Sequence, residues 1–419
     1  MKAVFRTDAS LCMGSGHLMR CLTLADALKA QGAQCHFISR AHPGHMLEVI
    51  RQRGFDLSVL PEPPLTAPAQ AASLHDSVPA HAEWLGCDWQ TDAQQTYAVL
   101  NNLQPDWLVV DHYALDQRWE TALRPHYQKL MVIDDLADRP HQCDLLLDQN
   151  LGCQPQDYAN LVPAQCKLLI GPQYALLRPE FAALRAYSLQ RRQQPVLKNI
   201  LITMGGVDQP NATGQVLQAL KGCPLPQDCR ISVVMGLQAP WLEQVRAQAK
   251  DMPWTIEVMV NISDMAQRMA DSDLAIGAAG STSWERCCLG LPTLMVVLAN
   301  NQWPGARALE AATAACLIGG AGEIATQLSL AIHSATQHDR LLQMSTSSAS
   351  VTAGLGTAKV LQALQCIGSD QKTTFSVSNT PLAHDRYAPA AINSIAKEIN
   401  FLSPVIAAQK ASALEDLNG

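Results

Sequence analysis

The chain has 419 residues, 48% apolar and 16% charged, with a formal charge of −7, which is enough for two domains that each bury a core. The negative balance and the lack of Lys/Arg blocks exclude nucleic acid and anionic membrane as main partners, leaving a small molecule. An anionic ligand would then depend on locally placed donors, not on a basic field.

Strand-like and helical runs alternate, which predicts parallel α/β architecture. The first strand, Ala3–Phe5, leads through Arg6-Thr7-Asp8-Ala9-Ser10 to a glycine-flexed turn, Gly14-Ser15-Gly16-His17. Leu18, Met19, Cys21, Leu22, Leu24, Ala25 and Leu28 then keep one helix face apolar. Unpaired N–H groups and the positive dipole end make this turn an anion site, with Gly14, Ser15 and Gly16 as its donors. His17 stands in its mouth, where the helix end disfavours imidazolium and biases the ring toward the neutral, proton-accepting form. The plainer alternative is a tight turn with a polar cap. Met19 stands where a dinucleotide fingerprint has its third glycine, and no Gly-Lys-Ser/Thr follows, so neither that motif nor a P-loop is present.

Further strands are expected at Cys35–Ser39, Asp56–Leu60, Trp107–Asp111, Lys129–Asp134, Leu145–Asp148 and Lys167–Ile170. His42 and His45 flank Pro43-Gly44 and read as a solvated loop rather than a metal site. Pro61–Asp92 reads as a long loop with helical pieces. Asp111-His112-Tyr113 and Asp134-Asp135 fall at strand C-termini, the functional edge of such sheets, although acids there also cap helices. Thirteen cysteines without a C-x-x-C pair suit reduced, buried thiols. The polar helical piece Arg185–Gln194, ending at Pro195, fits a linker.

A second α/β pattern then restarts with Asn199–Met204, Ile231–Met235, Thr255–Val260, Leu274–Ile276 and Thr293–Val297. Gly205-Gly206 and Gly280-Ser281-Thr282-Ser283 sit at strand-to-helix junctions and could share one diphosphate. Glu285 follows early in a helix, either as a dipole-favoured carboxylate or as an acceptor for ribose hydroxyls. Asp271 and Asp273 form a D-x-D at the wrong end of their strand for metal chemistry. Asn300-Asn301-Gln302 brings amide donors into the crevice. Two Rossmann-like domains facing a cleft are expected, at 1–185 and 190–366, with 367–419 as a flexible appendage. Arg6 and Asp8 interrupt the N-terminal apolar run and Leu291–Ala299 is too short to span a bilayer, so a cytoplasmic protein is expected.

The ordered motifs Arg6–Ser10, Gly14–Leu22, Asp111–Tyr113, Ile133–Asp135, Cys143-Asp144, Tyr174–Phe181, Met204–Asp208 and Asn301-Gln302 together resemble one family. It is that of the UDP-2,4-diacetamido-2,4,6-trideoxy-β-L-altropyranose hydrolases of pseudaminic-acid biosynthesis. The resemblance runs over roughly residues 1–366. It implies a GT-B fold related to the MurG glycosyltransferase, with UDP held in the second domain. It also implies inverting hydrolysis of the anomeric C–O bond. A monomer without a cofactor is expected, and no metal is needed where helix N-termini stabilise the diphosphate. By this resemblance His17 matches the catalytic base, Tyr113 a cleft tyrosine, Asn301 an active-site asparagine and Glu285 the nucleotide-site glutamate. Asp8 is expected to orient the His17 loop or its imidazole. The 61–92 loop is longer than in compact members, and the tail after Ile367 has no counterpart. A glycosyltransferase of the same fold and a non-catalytic sugar-nucleotide binder are the alternatives.

Overall fold

The computed structural model describes residues 1–61, 79–236 and 239–369. The first lobe is built on β1 (Lys2–Thr7), β2 (Gln34–Arg40), β3 (Asp56–Leu60), β4 (Trp107–Asp111), β5 (Lys129–Ile133), β6 (Leu145–Asp148) and β7 (Lys167–Ile170). All are parallel, in the order β3-β2-β1-β4-β5-β6-β7. The second lobe has β8 (Asn199–Thr203), β9 (Arg230–Met235), β10 (Thr255–Val260), β11 (Leu274–Ala278), β12 (Thr293–Val297) and β13 (Cys316–Gly320). They too are parallel, ordered β10-β9-β8-β11-β12-β13. Two Rossmann-like sheets were expected, and both are present.

Helices cover both faces of each sheet, so central strands are apolar throughout rather than alternating. In β4, β6, β11 and β12 every residue is buried. Because every strand runs the same way, all C-terminal ends share one edge. The direction of strand order reverses between β1 and β4, and again between β8 and β11, leaving a crevice at each reversal. The helix Gly16–Ala30 follows β1; Leu18, Cys21, Leu22, Ala25 and Leu28 bury its inner face. Asp26, Lys29 and Ala30 face outward.

Three features differ from the sequence reading. β13 was not anticipated, because Gly319-Gly320 weakens its pattern and only Ile318 of its residues is fully buried. The helical piece taken as a linker starts earlier, at Pro179, runs to Arg191 and packs on the second lobe instead of bridging two domains freely. Arg185 donates to the carbonyl of Ala349 at 2.7 Å, and Arg192 to those of Ser272 at 2.7 Å and Met269 at 2.9 Å. Its polar residues therefore cap second-lobe helix ends rather than meeting solvent. Conversely, the helix Gly356–Ser369 returns to the first lobe, where Val360, Leu361, Ala363 and Leu364 join Ala3, Phe5 and Leu18 in one core. The two crossings touch: Thr357 Oγ1 donates to the Leu177 carbonyl at 2.9 Å. Most of the appendage read at 367–419, and the 62–78 part of the long loop, lie outside the described residues. No helix among the described residues is long and apolar enough to cross a membrane.

Candidate active site

The two switch-point crevices open onto one cleft of about 300 Å³. From the first lobe it is lined by Leu11–His17, Arg20, Tyr113, Asp135 and Asn150. From the second it is lined by Met204–Pro210, Ala278–Trp284, Asn301 and Gln302. Nearly all the residues singled out from sequence therefore share one hollow. The lobes approach closely here. A Cβ built on Gly206 would stand 3.0 Å from Ser15 Oγ, and one on Gly16 would stand 3.5 Å from Ser281 Oγ. Gly205 has φ +83, a left-handed conformation that side chains other than glycine rarely adopt.

The anion donors are clearest in the first lobe. Gly16, His17 and Leu18 open a helix of 15 residues whose N-cap Ser15 makes no side-chain cap, so their amides have no partner within the helix. In the second lobe the helix after β8 begins only at Ala212. Its first amides are already taken by Asp208, at 2.7 Å to Ala212 and 2.9 Å to Thr213, and by Asn211. Gly205-Gly206 therefore offers loop amides, not a helix end, which corrects the simpler expectation. Gln302 Oε1 accepts from the Leu298 amide at 2.9 Å, which steadies the turn carrying Asn301.

His17 is buried apart from its cleft edge. Its Nδ1 lies 2.6 Å from Asp111 Oδ1. With the Nδ1 proton donated to that carboxylate, Nε2 is left as the acceptor. The helix end opposes an imidazolium and Asp111 favours it, so the dipole argument alone was incomplete. Arg20, one turn along the same helix, grips Asp111 through Nε at 2.6 Å and Nη2 at 2.7 Å. Burial alone would raise the Asp111 carboxyl; Arg20 and His17 outweigh it and hold Asp111 below the usual carboxylate range. Arg20 Nη1 reaches Asp135 at 2.9 Å, and the Tyr113 hydroxyl donates to the same Asp135. The Tyr113 ring meets His17 edge-on, centroids 4.4 Å apart. Burial and the neighbouring Asp135 push the Tyr113 phenol up, so it stays a donor.

Asp111, Arg20 and Asp135 are thus the residues bonded around His17 that sequence reasoning left unassigned. Signals existed: Arg20 is three residues after His17 on one helix face, Asp111 ends β4 beside β1, and Asp135 follows the end of β5, the next strand over. Asp8 does not have the expected part. It is buried and accepts from Arg6 at 2.7 Å, Ser39 at 3.1 Å and the Arg40 amide at 2.7 Å. Its other oxygen stands 3.3 Å from both His42 and His112. The buried Arg6 needs a counterion, and Asp8 supplies it together with Asp92.

Glu285 lies one residue beyond the cleft lining, 3.6 Å from Arg178. Burial pushes its carboxyl up to about 7, against the pull of Arg178 and Arg286. Asp271 is bound to Tyr187 and Gln267, and Asp273 to the Lys198 and Asn199 amides and Arg191, all before β11 begins. Among the described residues no group of three or more His, Cys, Asp or Glu side chains is arranged to hold a metal.

The model of the glycosyltransferase family 28 C-terminal domain matches residues 199–361, the span of β8 to the returning helix. An uncharacterized protein of Methanocaldococcus jannaschii is 26% identical over 306 residues, covering 72% of this chain and 56% of that protein. The chain thus spans little more than half the length of that relative. The UDP-2,4-diacetamido-2,4,6-trideoxy-beta-L-altropyranose hydrolase of Campylobacter jejuni is 25% identical over 306 residues, covering 72% of this chain and 93% of that one. MurG of Acinetobacter baumannii superposes with a TM-score of 0.61 at 17% identity, over 87% of this chain and 99% of that one. The two-lobed, GT-B-like architecture is accordingly shared with MurG, and the second lobe carries the glycosyltransferase family 28 C-terminal pattern.

Proposed function

We propose that the chain hydrolyses a UDP-linked diacetamido-trideoxy hexose, of the kind named for the Campylobacter relative, at its anomeric C–O bond. The observation that carries the reading is His17, fixed through Nδ1 by Asp111 and exposed at a two-lobed cleft with Nε2 left to accept. Water gives one proton to His17 Nε2 while its oxygen attacks the anomeric carbon from the face opposite the diphosphate. The bond to UDP breaks and its electron pair stays on the diphosphate, inverting the configuration. UDP is already a good leaving group, so the second carboxylate that glycosidases place beside a poor one is not required. Amides of Ser15-Gly16, Gly205-Gly206 and Gly280–Thr282 stabilise the charge growing on the diphosphate; the expected Gly14 amide is already donated to the Ser10 carbonyl at 2.8 Å, and that of Ser283 to the Gly280 carbonyl at 2.9 Å. Asn301 and Gln302 present amides to the sugar, and Tyr113 forms the wall beside the base.

Transfer of the sugar to an acceptor is the second reading, favoured by the match of residues 199–361 to a glycosyltransferase domain. Incubation of the UDP-sugar alone, in ¹⁸O water with EDTA and followed by NMR, separates the two. Hydrolysis yields free sugar of inverted configuration with ¹⁸O at the anomeric carbon. Unconsumed substrate would overturn the proposal.

Glu285 is assigned to the ribose hydroxyls of UDP. Its free carboxyl titrates near 7, and donated hydroxyl bonds favour the charged form, so binding releases a proton. Affinity for UDP is therefore expected to rise with pH through that value and level off above it. Calorimetry of Glu285→Gln should show about tenfold weaker binding, the loss of a hydrogen bond to a charged group. The part of the pH dependence that this variant loses isolates the carboxylate from titration of UDP itself.

A further inference from the structure

The contacts around His17 form a continuous chain of charge: His17 to Asp111, Asp111 to Arg20, Arg20 to Asp135, and Asp135 to the Tyr113 hydroxyl. Two carboxylates against one guanidinium leave one negative charge, and a proton on His17 would cancel it. We infer that Arg20 and Asp135 are positioning residues that act through Asp111 to set how readily His17 takes the proton from water. The inference rests on the hydrolytic reading and deepens it.

Geometry explains why this pair can do so. Asp111 Oδ1 is shared between His17 Nδ1 at 2.6 Å and Arg20 Nη2 at 2.7 Å, so the guanidinium competes for the same oxygen that holds the imidazole. Arg20 is 7% exposed, and its charge is therefore little screened. Asp135 draws the far side of that guanidinium toward itself at 2.9 Å. The other ionisable groups facing this chain are accounted for. Burial raises the Cys21 thiol, so it stays neutral 3.6 Å from Asp111. His112 turns to Asp8, and Asp134 to Arg139, whose guanidinium also lies over the Tyr113 ring. His81 stacks against Tyr113 with ring centroids 5.4 Å apart. Across the cleft, Asp208 spends its carboxylate on the amides of Ala212 and Thr213.

The two substitutions should act in opposite directions. Arg20→Gln removes a cation near His17, so the acid limb of kcat/KM should move up by roughly one pH unit. Asp135→Asn keeps a hydrogen-bonding side chain but removes an anion, so the limb should move down. Arg20→Lys keeps the charge without the fork and should return the limb most of the way toward the parent while kcat stays low. The same displacements should appear in the ¹⁵N titration of the His17 ring, identified by its absence in His17→Gln, with no substrate present. Displacements of one sign, or none, in folded variants with reduced activity would overturn the inference. A protein that hydrolyses nothing but shows opposed ring titrations would sink the proposed function and keep the coupling. Should Arg20→Gln fail to fold, Asp135→Asn and Arg20→Lys decide the matter by the same titration.

Discussion

Replacing His17 by alanine is expected to lower kcat by about 10²–10⁴-fold, the ordinary worth of a general base. UDP should still bind, because most groups assigned to the nucleotide belong to the other lobe (Gly205-Gly206, Gly280–Thr282 and Glu285), and the first-lobe donors at Ser15-Gly16 are backbone amides that the substitution leaves in place. The split is diagnostic. Loss of both turnover and UDP affinity would mean that His17 holds the cleft together; retention of both would remove the base from the mechanism. Calorimetry with UDP and a product assay on the same preparation decide it.

The second large effect concerns stability. Asp92 is buried and receives Arg6 Nη2 at 2.7 Å, Arg40 Nη2 at 2.8 Å and Trp119 Nε1 at 3.0 Å. Asp92→Ala takes the carboxylate from buried Arg40 and leaves Arg6 with Asp8 alone, so a loss of about 3–5 kcal/mol is expected in urea titration. The exposed Arg246–Glu243 pair gives the contrast, since Glu243→Ala should change stability by less than about 0.5 kcal/mol. Sign follows from the same network. Burial raises the Asp92 and Asp8 carboxyls, but Arg6 outweighs it and holds both below the ordinary aspartate value of about 3.9. Their stabilisation is thus complete above that value and is lost as pH falls through their folded pKa values.

Much of this arrangement is legible in the chain before any coordinates. Buried parallel strands read as short apolar runs, and glycines at their ends mark where backbone must bend. Twelve of the thirteen strands carry that pattern, and His17, Tyr113, Gly205-Gly206, Gly280–Ser283 and Asn301 all follow strand ends that meet at the cleft. What escapes is what depends on contact through space. Nothing local distinguishes Asp8, which neutralises Arg6, from Asp111, which holds His17. Both are acids at neighbouring strand ends, and the choice is made by which arginine each meets. The polar helix Pro179–Arg191 likewise reads as a linker, because the carbonyls that Arg185 and the adjoining Arg192 bond lie far along the sequence.

The paired crossings at Leu177 and Thr357 limit how the molecule can breathe. A single tether would let one half swivel in any direction. Two adjacent segments bonded to each other resist torsion and leave mainly a bend about the line joining them. Ser15 and Gly206, and Gly16 and Ser281, then separate and meet again along one path. Under the proposed function, substrate entry and product exit are then expected to use a reciprocal jaw motion that restores the same register each cycle.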